Sequence, residues 1–394
     1  MVCTGCALLC DDIEVGENDC RHACRIGDAH ITSTNQIDPV VNRSPVDMDT
    51  AIKSAAEILV SAEKSVFVGF GNSVTEAQAV GIELAKKVGA EIKTFHTGIF
   101  DDILDGRVKT CTLPEVRDYA DVIIFLGCDP MNTHPRLLSR YAYYPRGEKR
   151  QHGWDEDRTA ITIDSRFSHT ASICKDAYVI DPHRQIEFMD ALMDALLSKV
   201  PKTTYDKKRI LKLAGTLKKA EFGVIFAGTG ASAPPRDAII RLMDRLNESS
   251  DFRLLSLAPG YNLRSIAEQL RQLHNRPGGA GDGVGSGSSG GGRGSSGSSG
   301  GDTDLHEADC ILCLGFDLMN SLPAHGINGK MIVIDPNETL TSRYADVVIP
   351  CAAGGIDAAG SVVRMDGETM EVPLTRESGR LSDVAILKQL LEVV

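Results

Sequence analysis

The sequence predicts an α/β protein in which an N-terminal iron–sulfur-type subdomain precedes two duplicated, doubly wound parallel α/β units. Three observations support this fold class: cysteines cluster near the N-terminus, short apolar strands alternate with amphipathic helices, and one stretch of sequence recurs. The alternation specifies parallel sheets covered on both faces, because crossover helices connect parallel neighbours. The predicted parts are the cysteine-rich subdomain (1–50), a first unit (51–200), a second unit (201–276 and 302–394) and a flexible Gly/Ser linker (277–301).

The N-terminal element is defined by its cysteines. Cys3, Cys6 and Cys10 follow the spacing C-x2-C-x3-C, and Cys24 adds a further thiol. Thiolates at this spacing are the usual ligands of a 4Fe-4S cluster, which a more distant cysteine can complete. The same region also fits a zinc site that includes Cys20 and leaves Cys10 unused. We favour the cluster, with Cys3, Cys6, Cys10 and Cys24 as its metal ligands.

Disulfides are a third interpretation of these cysteines. They belong mainly to secreted proteins, and the first residues show neither the basic nor the apolar segment of a secretion signal. Eleven cysteines without such a signal favour a reducing compartment. We therefore expect a cytoplasmic protein.

The composition argues against two classes of partner. The chain has 394 residues, of which 42% are hydrophobic and 24% charged, as is typical of a globular protein. Its net charge of -12 argues against nucleic acid, because phosphate binding requires clustered basic residues. No apolar segment is long enough to cross a bilayer, so we expect no membrane partner.

An internal repeat organises the rest of the chain. Residues 120–135 (ADVIIFLGCDPMNTHP) and 308–323 (ADCILCLGFDLMNSLP) share an apolar strand followed by Gly, Asp, Met-Asn and Pro in register. Each copy is preceded by a strand, a glycine turn and a helix, and is followed by a strand that ends in Ile-Asp. These matching elements predict two similar α/β units.

The loops that follow the strands are the candidate ligand sites, because ligands of such sheets lie off the carboxyl ends of the strands. Gly69 and Gly71 occupy the same place in one unit as Gly228 and Gly230 in the other. Glycines at these turns let backbone N–H groups approach a phosphate, which favours a nucleotide-type ligand. Ordinary tight turns between strand and helix explain the same glycines.

Several stretches of the chain resemble a known family. They are CTGCALLCDDI and ACRIG near the N-terminus, TCTLPEVRDYADVIIFLGCDPMNTHPRLLSRYAYYPRG from Thr110, FGVIFAGTG from Phe222, and ADVVIPCAAGGIDAAGSVVRMDG from Ala345. Together with the cysteine set and the repeated units, they resemble the molybdopterin oxidoreductase superfamily, and within it the B-type subunits of formylmethanofuran dehydrogenases. The resemblance covers nearly the whole chain apart from the Gly/Ser linker.

The resemblance implies cofactors, partners and site residues. In the family, the B-type subunit holds one 4Fe-4S cluster and a tungsten or molybdenum bis-pterin guanine dinucleotide that interconverts carbon dioxide and formate, and it assembles with A-, C- and D-type subunits. The cluster would bind the N-terminal cysteines. The implied pterin dinucleotide contacts are Gly69, Gly71, Gly127, Asn132, Asp164, Arg166, Gly228, Gly230, Asn320 and Asp335. The aspartates are also typical helix caps, and the arginines are also typical surface ion pairs.

One loop departs from the family pattern. Redox-active members supply a cysteine or selenocysteine as a metal ligand just before the TCTL segment, whereas residues 93–100 (KTFHTGIF) contain none. His96 is the nearest donor there, although a structural histidine is the simpler interpretation. We therefore favour a structural subunit of a tetrahydromethanopterin-linked formyltransferase/hydrolase complex in which the metal redox chemistry has been lost.

Two alternatives remain open at this point. In a working dehydrogenase, the catalytic candidates are His134 as proton donor, Arg136 as anion clamp and His96 as metal donor. In an electron-transfer module, only the cluster would be retained.

Overall fold

The computed structural model describes residues 1–16, 20–33, 37–274, 302–321 and 327–394. The predicted Gly/Ser linker over 277–301 lies outside the described residues. The described chain forms a mixed α/β fold with two large, mainly parallel sheets. Among the described helices, none combines the length and the apolar character needed to span a bilayer.

The larger sheet has five parallel strands at its centre and one edge, and two short antiparallel strands at the other edge. In spatial order its strands are β4 (Ser44–Pro45), β3 (Val40–Val41), β14 (Val347–Pro350), β13 (Lys330–Asp335), β12 (Cys310–Leu314), β5 (Ser65–Gly69) and β6 (Glu91–Lys93).

The smaller sheet is entirely parallel. In spatial order its strands are β11 (Phe252–Leu257), β10 (Gly223–Gly228), β7 (Val122–Leu126), β8 (Thr159–Asp164) and β9 (Asp176–Val179). Two antiparallel pairs lie outside the large sheets: β1 (Glu14–Val15) with β2 (Cys20–Arg21), and β15 (Gly360–Val363) with β16 (Thr369–Val372).

Helices connect the parallel strands, as their crossovers require. The α-helices of the described residues, whether or not they connect parallel strands, are α1 (Arg25–Thr32), α2 (Met48–Ser61), α3 (Thr75–Val88), α4 (Gly98–Leu104), α5 (Leu113–Tyr119), α6 (Pro130–Thr133), α7 (Trp154–Asp157), α8 (His169–Ile173), α9 (Gln185–Leu196), α10 (Lys207–Leu217), α11 (Arg236–Leu246), α12 (Leu263–His274), α13 (Asp302–Glu307), α14 (Leu318–Ser321) and α15 (Asp383–Val393). A π-helical turn covers Leu138–Ala142, and a 3-10 turn covers Pro182–Arg184. Local sequence sets several helix starts; Thr112 and Glu115, for example, form a capping box at α5.

Alternate residues of the central strands enter different cores. In β7, Ile123 and Phe125 join a central core that both sheets share, whereas Val122, Ile124 and Leu126 pack under the helices on the outer face. Strand β12 alternates in the same way between the central core and a smaller outer core. Burial on both faces explains why these strands are continuous apolar runs in the sequence.

The pairing of the strands does not follow the predicted division into a first unit (51–200) and a second unit (201–276 and 302–394). Strands β5 and β6 of the predicted first unit pair with β12 of the predicted second unit, whereas β10 and β11 of the second unit pair with β7 of the first. The smaller sheet is therefore an insertion between the two portions of the larger one. Parallel strands pair across long crossovers, so chain order does not fix which sheet a strand joins.

Candidate functional site

The N-terminal cysteines converge on one small cavity. It is lined by Cys3, Gly5, Cys6, Leu8, Cys10, Ile13, Cys24, Gly27 and Arg136. Cys20, which the zinc alternative requires, is not among them. We call Cys3, Cys6, Cys10 and Cys24 the cysteine cage.

Backbone hydrogen bonds close the cysteine cage. The N–H of Cys3 donates to the carbonyl of Cys10 at 2.8 Å, so that the segment between them forms a closed loop. Helix α1 begins directly after Cys24, and the N–H of Gly27 lies 3.4 Å from the Cys24 Sγ. The N–H of Gly5 lies 3.4 Å from the Cys3 Sγ. Donors directed at sulfur are characteristic of iron–sulfur ligation.

Steric and electrostatic features of the cysteine cage fit a cluster. A Cβ on Gly27 would lie 2.9 Å from the Cys3 Sγ, so only glycine leaves the sulfur its place. Burial raises the pKa of Cys3 to about 11, and burial likewise raises the pKa values of Cys6 and Cys10. Cluster iron would supply the positive charge that deprotonates such thiols.

The described residues contain neither a disulfide nor a preformed metal site. All eleven cysteines lie in the described part of the chain, and none of them forms a disulfide. No group of three or more His, Cys, Asp or Glu side chains among the described residues is arranged to hold a metal ion, so the four thiols of the cysteine cage converge on one cavity without forming a ready-made metal site.

Arg136, in the segment between β7 and β8, lines the small cavity of the cysteine cage. Its guanidinium donates to both carboxylate oxygens of Asp12, at 2.5 and 2.6 Å. Neighbouring Arg140 donates to Asp11 at 2.8 Å. Arg136 was predicted as an anion clamp, but its donors are directed at Asp12 beside the cage.

A cavity of about 590 Å³ adjoins the cysteine cage at Gly5 and Cys6. We call it the main cavity; it lies at the carboxyl ends of β7, β8, β10 and β11, where ligands of parallel sheets bind. The predicted site residues that line it are His96, Gly127, Asn132, His134, Asp164, Arg166, Gly228 and Gly230.

Both histidines of the main cavity are held neutral by burial. His96 has a left-handed backbone (φ 70°), and its Nδ1 lies 3.2 Å from the carbonyl of Thr229. Because a carbonyl only accepts, Nδ1 carries the proton and Nε2 keeps a lone pair. His134 is 2% exposed, its Nε2 has no hydrogen-bond partner among the described residues, and burial lowers its pKa to about 4. Burial also lowers the pKa of His96.

Charged side chains lie along the same cavity. Asp129 is fixed by the Thr170 hydroxyl at 2.6 Å and by the Asn132 amide at 2.6 Å. Asp164 accepts the N–H of Ser165 at 2.6 Å at the end of β8. The side chain of Arg166 is 69% exposed and approaches Asp129 only at 3.8 Å. Arg166 therefore remains accessible to a bound anion.

The remaining predicted contacts lie at the carboxyl edge of the larger sheet and are not among the residues that line the main cavity. Gly69 and Gly71 pack against protein side chains, and Asn320 is exposed. Asp335 is buried at the end of β13, where it accepts the N–H of Asn337 at 2.9 Å, and burial raises its pKa to about 7.

Sequence reasoning missed two contributors to the main cavity. Thr229 lies between Gly228 and Gly230, and its buried hydroxyl has no hydrogen-bond partner in the part of the chain that the structure describes. Asp129 carries the carboxylate that orders the loop after β7. The repeat held a signal for Asp129, because Asp317 occupies the same place in the other copy.

Comparisons with known proteins identify the family of the chain. It is 31% identical to the B-type subunit of the tungsten-containing formylmethanofuran dehydrogenase 2 of Methanocaldococcus jannaschii, over 100% of this chain and 98% of the relative. The chain belongs to the family of formylmethanofuran dehydrogenase B-type subunits. The corresponding protein of Methanococcus maripaludis is 29% identical over 100% of this chain and 98% of that protein. No protein-family model matches the chain.

A solved structure shares the fold of this family member. It is the formyltransferase/hydrolase complex (FhcABCD) from Methylorubrum extorquens in complex with methylofuran. The TM-score is 0.66 at 19% identity, and the match covers 90% of this chain and 98% of that one. At this identity the likeness establishes the mixed α/β fold with its parallel sheets.

Proposed function

We propose that this chain is the B-type subunit of a formyl-transferring and formyl-hydrolysing complex and that it acts as a scaffold without metal redox chemistry. One observation carries the proposal: the loop over 93–100 reaches the main cavity with an imidazole, His96, and contains no thiol. High-valent tungsten and molybdenum centres favour soft thiolate donors.

The two cysteines that line the main cavity are each engaged in other contacts. Cys6 belongs to the cysteine cage, and Cys128 is buried with its thiol directed at the carbonyl of Phe226, at 3.3 Å. Burial raises the pKa of Cys128 well above its usual range, which keeps it a thiol. Neither cysteine is available as the missing ligand.

We infer that the cysteine cage holds a 4Fe-4S cluster, with Cys3, Cys6, Cys10 and Cys24 as ligands. Such a cluster transfers single electrons or serves as a structural cross-link. Here the ligands tie residues 3–10 to the start of helix α1, so the cluster would fix the N-terminal subdomain (1–50) against the main cavity.

The proposed subunit partners and the proposed cellular location follow from the assignment of the chain to this complex. The solved neighbour is a complex of several subunits, and the chain has the fold of a component of it. We propose that A-, C- and D-type subunits carry out formyl transfer to tetrahydromethanopterin and hydrolysis, with a furan-type carrier between them. Eleven cysteines without a disulfide support a cytoplasmic complex.

The two sheets support the proposed duplication. The carboxylate of Asp121 accepts two backbone N–H groups just before β10, and Asp309 accepts two just before β5. Downstream, the Thr170 hydroxyl donates to Asp129 at 2.6 Å, and the Thr341 hydroxyl donates to Asp317 at 2.7 Å. We therefore propose that the duplicated units are β7–β11 and β5, β6 with β12–β14.

Metal analysis of the purified multi-subunit complex tests the proposed function. We expect iron without stoichiometric tungsten or molybdenum, formyl transfer to tetrahydromethanopterin, and no formate-dependent reduction of a viologen dye. A tungsten-containing dehydrogenase complex purified in parallel serves as the positive control. Stoichiometric tungsten or molybdenum together with dye reduction would overturn the proposal.

A working dehydrogenase is the second candidate, favoured by the tungsten-containing relatives and by the unprotonated Nε2 of His96. The variant His96→Cys distinguishes the two. If a missing thiolate is what prevents metal binding, this variant gains tungsten under conditions in which the parent complex has none.

A further inference from the structure

Two arginines flank the cysteine cage from the segment that follows β7. Arg136 is the one permanently charged side chain among the described residues that line the small cavity of the cage. Arg140 belongs to the π-helical turn over Leu138–Ala142 and lies within hydrogen-bonding reach of the Cys10 thiol. The side chains of Arg136 and Arg140 are only 18% and 21% exposed. Two largely buried positive charges therefore lie beside the sulfur atoms of the cage.

The carboxylates that pair with these arginines face the solvent. Arg136 donates to both oxygens of Asp12, and Arg140 donates to Asp11 at 2.8 Å and to Asp12 at 3.2 Å. The side chains of Asp11 and Asp12 are 54% and 40% exposed, and neither lines the small cavity. Water and salt screen exposed charges more than buried ones. The cage therefore lies in a net positive potential, although two arginines and two aspartates together carry no net charge.

Backbone dipoles around the cage have the same sign as the arginines. The N–H groups of Gly5 and Gly27 each lie 3.4 Å from a cysteine Sγ, that of Cys3 and that of Cys24, respectively. Hydrogen bonds to sulfur, net charge and solvent exposure are the features by which a protein sets the reduction potential of an iron–sulfur cluster. A reduced cluster carries one more negative charge than an oxidised one, so nearby positive charges favour reduction.

We propose that Arg136 and Arg140 raise the reduction potential of a 4Fe-4S cluster in the cysteine cage, so that the cluster accepts an electron and is more than a structural cross-link. A low-potential one-electron donor supplies that single electron, and no bond is made or broken. The two arginines are positioning residues that act through the ligand sulfurs, and they have this role only if the cage holds the cluster of the proposed function. Loss of one such charge should make reduction about tenfold less favourable, which is about 59 mV for a one-electron couple.

The reduction potential of the cluster in the purified multi-subunit complex tests this role. Dithionite and redox mediators set the potential of the solution, and visible absorption and electron paramagnetic resonance report the reduced fraction. We expect Arg136→Gln and Arg140→Gln each to shift the midpoint about 59 mV more negative, whereas Arg136→Lys keeps the charge and most of the parent value. Full iron with an unchanged potential in both glutamine variants would overturn the proposal.

Asp12→Asn tests the sign of the effect without altering an arginine. It removes a negative charge and leaves Arg136 beside the sulfurs, so we expect the potential to become more positive. A role limited to fastening the segment would not move the potential in opposite directions when the two partners of one ion pair are changed. An unchanged or more negative potential in Asp12→Asn would contradict the proposal, even if the glutamine variants fail to assemble. Arg343→Gln, which breaks an exposed ion pair with Glu338, is the control and leaves the potential unchanged.

Iron and acid-labile sulfide are measured on the same samples. A parent complex without iron would contradict the cluster of the proposed function and, with it, the role of the arginines. Full iron together with unshifted potentials would contradict the role of the arginines alone. Bound tungsten would contradict the proposed scaffold function while leaving the shifts in potential to be judged by themselves.

Discussion

At Gly27, a hydrogen atom is the largest substituent that the cysteine cage tolerates. The backbone of Gly27 is part of helix α1, so alanine at this position favours the helix. The same Gly27→Ala change places a methyl group 2.9 Å from the Cys3 Sγ. We expect the variant to have about tenfold lower affinity for the cluster iron, because changes in the groups packed around metal ligands commonly cost that much metal affinity. Iron and acid-labile sulfide assays, with the visible absorption of the cluster, provide the measurement.

The control for Gly27→Ala is Gly215→Ala, which favours helix α10 equally and approaches no sulfur. Full iron and sulfide in the Gly27→Ala protein would show that cluster binding does not depend on the space beside the Cys3 Sγ.

Buried Asp335 makes stability depend on pH in the opposite direction from an ion-paired carboxylate. Its pKa is about 7 in the folded chain, against 3.8 ordinarily, so the folded state retains a proton that the unfolded state has lost. Its contribution to stability is thus greatest below pH 3.8 and falls as the pH rises toward 7. Asp335→Asn keeps an oxygen for the Asn337 N–H and cannot ionise.

We therefore expect Asp335→Asn to stabilise the chain above neutral pH, by on the order of 4 kcal/mol, and to have little effect in acid. Melting temperatures of the variant and the parent at about pH 3.5 and about pH 8 give the comparison. A difference that is the same at both pH values would exclude this carboxyl as the cause.

At the scale of elements, two aspartates attach matching strands to their sheets. Asp121 accepts the N–H groups of Glu221 and Phe222 before β10, and Asp309 accepts those of Glu63 and Lys64 before β5. Replacing either by alanine removes two acceptors. We expect each variant to lose about 1 kcal/mol of unfolding free energy.

The double variant tests whether the two anchors are independent. They lie on different sheets and share no hydrogen-bond partner, so the two losses should add to within about 0.5 kcal/mol. Asp→Asn at each position is the matched control, since it retains one acceptor oxygen. Strongly non-additive losses in denaturant unfolding would mean that the sheets unfold as a coupled unit through these anchors.

The sequence predicted the central strands well, because strands buried on both faces appear as apolar runs that end in Gly or Asp. It could not predict how they pair. Strands β5, β7, β10 and β12 are equally apolar, and the hydrogen bonds that join β5 to β12 connect residues far apart in the chain. The predicted unit boundary near residue 200 was drawn from chain order, which does not determine the strand pairing.

The candidate site was predictable where backbone geometry determines it. The turns at Gly127 and Gly228 were identified from their place after strands. Gly71 has the same local sequence signal as Gly230, yet Leu263 covers it, and that contact depends on tertiary packing alone. Pairing of Arg136 with Asp12 is likewise a contact between distant segments.

At the scale of the whole molecule, the C-terminal region holds the N-terminal subdomain in place. Arg376 donates to both oxygens of Asp357 and also to the carbonyl of Ser33 at 3.2 Å. Thr4, next to Cys3, donates to the carbonyl of Gly354 at 2.8 Å. Helix α1 is therefore supported by residues more than three hundred positions away in the chain.

Removing this support should loosen the N-terminal subdomain. We expect Arg376→Ala to accelerate amide hydrogen exchange in helix α1 roughly tenfold, because local opening no longer has to break these bonds. Arg343→Ala removes an exposed ion pair with Glu338 and serves as the control. Unchanged exchange in α1 of the Arg376→Ala protein would show that the cysteine segment holds its position without the C-terminal region.

The insertion of the smaller sheet into the larger one sets an order for folding during synthesis. All five strands of the smaller sheet have been synthesised by residue 257, whereas β5 and β6 must wait for β12, more than two hundred residues after β5, before the centre of the larger sheet can form. The inserted sheet can thus mature while its host is still incomplete. Proteolysis of nascent chains stalled near residue 300 should therefore yield a protected fragment from the middle of the polypeptide, and the first hundred residues should be cut.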